Sequence, residues 1–246
     1  MDASAYTRFI EQLKANLAAR DDVLGLVLVG STAARERQDE WSDHDFFVIT
    51  MDAAAEPMRK TLDWLPDHDA IALAPRETAH GLKVVYDAGH VLEFAVFTLG
   101  ELAQAGANAY EVALDRGGVA AIMESLAKRP RAARDDDTNL ALLVALLLIG
   151  VGRARRGELL VAGNLIRTYA VERLLTVLAH RSPDARLDDL DPFRRVEVVF
   201  PQLGLAEAVA QPPEEAARAI LAIAERELGP VTGADVLRRR LGWVRE

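Results

Sequence analysis

Residues 23–47 read VLGLVLVGSTAARERQDEWSDHDFF, and this stretch decides the fold. Val23 to Val29 is short, continuously apolar and closed by a glycine, which is the pattern of a buried strand. At Gly30-Ser31 the chain must turn from that strand into a short helix over 31–37. Glycine permits the sharp turn and lets another group approach the backbone closely. Unpaired amides at such a turn, with the Ser31 hydroxyl beside them, suit the phosphates of a nucleotide. A second strand is expected over 45–51, opening on Asp43-His44-Asp45. Strand alternation puts the Asp43 and Asp45 side chains on one face and His44 on the other. Two adjacent carboxylates repel unless a cation lies between them. Magnesium prefers carboxylate and phosphate oxygens, so the pair reads as a metal site beside a phosphate cradle.

Outward from this centre, residues 6–19 carry Phe9, Ile10, Leu13 and Leu17 at helical spacing. A helix is expected over 58–65 and a short strand near 71–73. Strands over 82–86 and 91–99 flank Asp87-Ala88-Gly89-His90, which has hairpin-turn chemistry. A further strand is expected at 110–114 and a helix at 119–127. Glu93 lies inside the apolar run Val91-Leu-Glu-Phe-Ala-Val-Phe, where an ionised glutamate is costly without a partner or a cation. It is the candidate third carboxylate, able to share metals or to take a proton from an acceptor hydroxyl.

The character changes after Lys128. Residues 129–137, RPRAARDDD, read as a charged linker or a solvated helix start. Beyond them the periodicity predicts helices over 139–156, 158–180, 191–200, 213–228 and 233–241. The fold class expected is therefore α+β: a mixed sheet with flanking helices over residues 1–130, then a helical bundle over 131–246.

The three parts Val29-Gly30-Ser31, Asp43-His44-Asp45 and Leu92-Glu93-Phe94 resemble the signature of the polymerase-β-like nucleotidyltransferase superfamily. The form WSDHDFF at 41–47 looks most like the nucleotidyltransferases that act on aminoglycosides and lincosamides, which also carry a helical C-terminal domain. His44 departs from the more usual hydrophobic residue between the aspartates. The segment TAARER at 32–37 lacks the glycine that often follows an arginine there. The resemblance implies ATP or another nucleoside triphosphate as co-substrate and two Mg²⁺ ions held by Asp43, Asp45 and Glu93. It implies transfer of a nucleoside monophosphate, AMP from ATP, to a hydroxyl of a small molecule such as an aminoglycoside or lincosamide, with release of pyrophosphate. It also implies that a basic residue of the helical domain, Arg156, reaches the triphosphate and that an acidic one, Glu158, holds the acceptor. By residue chemistry alone these two belong to a charged helix face with local ion pairs. Trp41 could stack on a base or pack in its loop. Arg173 and His180 share a helix face by spacing, as in certain RNA-cleaving helical domains.

Composition narrows the classes. The 246 residues are half hydrophobic, enough for a sizeable core, and the formal net charge is −9. An acidic surface repels phosphate backbones, so bulk nucleic acid is not an expected partner, and nuclease activity is disfavoured. Cysteine is absent, which excludes disulfides and thiolate chemistry and fits a cytoplasmic setting. The first residues show no signal-peptide pattern. The longest apolar run, 140–149, falls short of the ~20 residues that span a bilayer and reads as a buried helix. Two other readings keep part of this chemistry: adenylylation of a protein partner, as in toxin–antitoxin pairs, and a non-catalytic nucleotide-binding module. The helical second domain argues against the first, and the intact motif against the second.

Overall fold

The computed structural model describes residues 3–33, 42–106, 109–129, 135–182, 187–188 and 191–243. The elements are numbered in chain order. Helix α1 (Ala3–Ala18) leads into β1 (Val23–Val29), the short α2 (Gly30–Ala33), β2 (His44–Thr50) and α3 (Asp52–Lys60). There follow β3 (Ile71–Leu73), β4 (Gly81–Tyr86), β5 (Val91–Thr98), α4 (Leu99–Leu102), β6 (Tyr110–Asp115) and α5 (Val119–Ala127). The six strands form one sheet in the order β3-β4-β5-β2-β1-β6. Strands β2 and β5 run parallel, and every other neighbouring pair is antiparallel.

Strand alternation divides the sheet's two faces. Leu26, Leu28, Phe46, Val48, Val84, Leu92, Phe94 and Val96 pack in one core with Tyr6, Phe9, Leu13 and Leu17 of α1. Phe46 and Phe94 stack with their rings 5.0 Å apart, and Trp64 meets Phe94 edge-on at 5.3 Å. The intervening residues Val27, Ile49, Ala95 and Phe97 pack on the other face with Leu102, Val119 and Met123. Asp45 and Glu93 belong by register to this second set, and His44 to the first. A sheet covered on both faces has little freedom to slip, because a shift of one residue would exchange every side chain between the two cores.

The chain divides into two compact units, Met1–Pro130 and Arg131–Glu246. The second is helical throughout its described elements. It comprises α6 (Asp136–Arg155), α7 (Leu159–Gly163), a π-helical segment (Asn164–Ala170), α8 (Val171–Arg181), α9 (Val196–Val199), α10 (Leu205–Ala210), α11 (Pro213–Leu228) and α12 (Ala234–Leu241). By length and composition α6 would pass for a membrane span. It is the central helix of this unit, with Leu140, Leu143, Leu147 and Val151 buried against Ile166, Leu174, Ile220 and Leu237.

Two expected elements sit elsewhere. The helix expected at 58–65 is α3, Asp52–Lys60, with Pro57 in its interior. Proline suggests a helix start, but here it occupies the sixth position. The segment expected to be helical over 191–200 narrows to Val196–Val199.

The second unit is latched by a carboxylate. Glu214 accepts from Arg155 Nε at 2.9 Å, Arg155 Nη2 at 2.6 Å and Trp243 Nε1 at 2.8 Å, while Arg218 lies over the Trp243 ring at 4.5 Å. These bonds, Arg155's foremost, hold the Glu214 carboxyl at about 2, against an ordinary value of 4.5. A folded-state value below the unfolded one contributes stability above pH 4.5 that is lost as the pH falls through 2. Glu214→Gln should therefore cost on the order of 1–3 kcal/mol at pH 7. Thermal midpoints measured from pH 7 to pH 3 should show the variant's deficit shrinking below pH 4.5.

Candidate active site

Along the chain Glu93 lies 48 residues beyond Asp45, and the parallel pairing of β2 with β5 sets the two directly opposite each other. Asp43 immediately precedes β2 and shares the face of Asp45. One carboxylate oxygen from each of Asp43, Asp45 and Glu93 lies within 4.8 Å of the other two, and all three residues are half-buried. Three anions at this spacing repel strongly unless a cation joins them. The donor set is all hard oxygen, which matches Mg²⁺ rather than the softer metals that take nitrogen or sulfur.

Gly30 is the wall of this cluster. Its φ is +58°, and a Cβ built there would lie 2.6 Å from Asp45 Oδ2. The glycine is needed twice, for the left-handed turn out of β1 and for the room that the Asp45 carboxylate occupies. Ser31 follows in the first turn of α2. The turn that was expected to cradle phosphate therefore abuts the carboxylates that were expected to hold metal.

Other residues at the site had no signal in the motif. Lys83 on β4 is registered opposite Glu93 and donates from Nζ to Glu93 Oε1 at 2.7 Å. That bond raises the Lys83 ammonium above its ordinary value, so it stays charged. The hairpin turn at 87–90 had located both strands, and its register would have paired Lys83 with Glu93. Thr32, buried in α2, accepts from the Asp45 amide at 2.8 Å. Tyr6 of α1 donates its hydroxyl to the Asp43 carbonyl at 2.7 Å.

His44 is fully buried on the α1 face, hydrogen-bonded rather than ligating. Its Nε2 faces the Tyr6 carbonyl at 3.2 Å, and a carbonyl can only accept, so Nε2 carries the proton. Its Nδ1 then accepts from His90 Nε2 at 2.6 Å. Burial pushes the His44 imidazole down to about 3 and that of His90 to about 4, so both rings are neutral at neutral pH.

Arg156 and Glu158 lie in the second unit and pair with each other. Arg156 Nε donates to Glu158 Oε1 at 3.0 Å and Arg153 Nη1 to Glu158 Oε2 at 2.7 Å, around a turn at Gly157. Arg153 foremost keeps the Glu158 carboxyl below its ordinary value. Arg173 and His180 have separate partners, Glu172 and Asp136. Trp41, Arg35 and Arg37 lie outside the described residues.

The parts of the signature thus meet in space. No family model matches the chain, and no curated protein matches it in sequence. Among solved structures it is similar to a nucleotidyltransferase-like protein from Exiguobacterium sibiricum, 12% identical with a TM-score of 0.37, over 97% of this chain and 80% of that one. It is similar to an aminoglycoside 6-adenyltransferase from Bacillus subtilis, 10% identical with a TM-score of 0.36, over 96% and 91% of the two chains. A third similar structure is a STING-associated CdnE c-di-GMP synthase from Capnocytophaga granulosa, 10% identical with a TM-score of 0.34, over 98% and 83%. At these identities and scores the likeness assigns neither a reaction nor a substrate to this chain.

Proposed function

We propose that this chain is a divalent-cation-dependent nucleotidyltransferase. It moves a nucleoside monophosphate, AMP from ATP, onto a hydroxyl of a small acceptor. The acceptor hydroxyl gives its proton to Glu93 as its oxygen bonds to the α-phosphorus, the bond from that phosphorus to the bridging oxygen breaks, and pyrophosphate leaves. The observation that carries this reading is the convergence of Asp43, Asp45 and Glu93 on one point against Gly30.

In this reading Asp43, Asp45 and Glu93 would hold Mg²⁺, which when bound supplies neutralisation of charge on the phosphate oxygens. Ser31 would receive a phosphate on its main-chain amide, and Gly30, whose own amide donates to the Ala109 carbonyl at 3.2 Å, would let the phosphates come close to the backbone. Holding the triphosphate and acceptor in line accounts for much of the rate, since positioning alone removes several kcal/mol of barrier. Arg156 is assigned to the triphosphate and Glu158 to a cationic acceptor. Arg156 would give up its exposed ion pair with Glu158, and Glu158 its pairs with Arg156 and Arg153, all of which solvent screens. The net charge of −9 favours a cationic acceptor, and an aminoglycoside or a lincosamide has the hydroxyls and the basic groups required.

The test is direct. The purified chain is incubated with Mg²⁺ and each nucleoside triphosphate against a panel of aminoglycosides and lincosamides, and read for mass gain and for released pyrophosphate. Nucleotide addition that EDTA abolishes is the expected result. Absence of pyrophosphate with every nucleotide and acceptor would count against the transferase. Label passing from ATP into a protein of a cell extract, with no drug modified, would move the acceptor class to proteins.

A further inference from the structure

The hydrogen bonds beneath the carboxylate cluster have a fixed direction. The Tyr6 hydroxyl has one proton, and the Asp43 carbonyl, 2.7 Å away, can only accept it. The contact of 2.7 Å between the Tyr6 hydroxyl and Thr32 Oγ1 therefore uses the Thr32 proton. Thr32 Oγ1 in turn accepts from the Asp45 amide at 2.8 Å. The chain runs from Asp45 N–H to the Thr32 hydroxyl, to the Tyr6 hydroxyl, to Asp43 C=O. It closes a ring around Asp43-His44-Asp45, tying the main-chain donor of one aspartate to the main-chain acceptor of the other.

Tyr6 grips the same three residues a second way. Its carbonyl accepts from His44 Nε2, and its ring stacks on the His44 imidazole with centroids 3.6 Å apart and planes 16° apart. His90 closes the far side of that imidazole at 2.6 Å. Tyr6 and Thr32 are both buried, which shields the bond between their hydroxyls from water. Thr32 belongs to α2, which begins at Gly30, so the brace also fixes the aspartates relative to the glycine turn.

We propose that Tyr6 and Thr32 are positioning residues for divalent-cation binding: a two-hydroxyl brace that sets the relative placement of the Asp43 and Asp45 carboxylates without touching the cation. This rests on the reading of the carboxylate cluster as a metal site. A ligand that must hold a small cation tolerates little displacement, and Mg²⁺ and Mn²⁺ demand regular geometry. Loss of a partner outside the ligand shell commonly costs roughly 10–100-fold in metal affinity.

The test measures Mn²⁺ binding to the full chain without nucleotide, by the electron paramagnetic resonance of free Mn²⁺, beside thermal unfolding in EDTA to establish folding. Tyr6→Phe keeps the ring stack and removes only the hydroxyl, and it should weaken Mn²⁺ binding about tenfold. Thr32→Val should do the same, Thr32→Ser should restore wild-type affinity, and Tyr6→Phe/Thr32→Val should be little worse than either single variant. Wild-type affinity in folded Tyr6→Phe or folded Thr32→Val overturns the brace, and so does an additive loss in the double variant. Should Tyr6→Phe not fold, the Thr32→Val and Thr32→Ser pair decides alone. Asp43→Asn is the control for the underlying reading. If it binds Mn²⁺ as tightly as wild type, the metal site itself fails and the brace with it; if only the brace variants bind normally, the metal site stands without it.

Discussion

Asp45→Asn should lower nucleotidyl transfer by roughly three orders of magnitude and leave the thermal midpoint in EDTA unchanged or higher. The substitution preserves shape and removes one charge of the three whose oxygens lie within 4.8 Å of one another. Cation-assisted charge neutralisation in such a site supplies several kcal/mol, and about 4 kcal/mol is a factor of a thousand. The stability half of the prediction is the more diagnostic. Lys83 offsets part of the cluster's charge through Glu93, and the mutual repulsion that remains among the three carboxylates falls when one member loses its charge. Added Mg²⁺ should raise the midpoint of the wild-type chain through linkage and leave that of Asp45→Asn where it was. Asp43→Asn should behave alike. Normal turnover by either variant would sink the assignment. A large loss of stability in EDTA would show instead that the aspartates are structural.

Gly30→Ala is expected to cost about a hundredfold in transfer, because its added methyl group meets Asp45 Oδ2 at 2.6 Å, closer than real Cβ contacts come. Either the turn opens or the Asp45 carboxylate swings away, and a displacement near 1 Å at a reacting centre costs on that order. Backbone strain adds to this, since φ is +58° and an L-residue there loses roughly 1–2 kcal/mol. The thermal midpoint should therefore fall by a few degrees. Gly118→Ala separates the two effects. Gly118 also has a positive φ, +78°, yet nothing lies within 4 Å of the Cβ it would gain. It should lose similar stability and keep its activity. Equal activity losses in the two variants would mean that strain rather than the Asp45 contact is responsible.

The Asp45–Gly30 contact shows how far the chemistry can be read from order along the chain. A buried strand that ends in Gly30, and two aspartates at alternate positions of the next strand, are local patterns. Each is fixed by the chain's own geometry, by the freedom of glycine and by the two-residue period of a strand. For that reason Gly30, Asp43, Asp45 and the hairpin carrying Glu93 were legible, and so was the change to helices after residue 130. Where local signals conflict, as at Pro57 or over 191–200, the helices depart from the bounds that periodicity suggests.

Other features depend on which distant segments meet. Nothing in Glu93's own surroundings says that it stands opposite Asp45 rather than two residues away. That follows from the parallel register of β2 and β5, fixed by filling both faces of the sheet at once. Lys83 reaches Glu93 only through the same sheet. Tyr6 and Thr32 are 26 residues apart, Tyr6 and Asp43 are 37 apart, and His44 and His90 are 46 apart. Tyrosine, threonine and histidine at those positions have no local pattern that marks them, because buried polar groups find their partners only once the core has closed around them. The sequence by itself determined the acidic residues and the turn they lean on. The packing of α1 against the sheet decided what holds those residues in place.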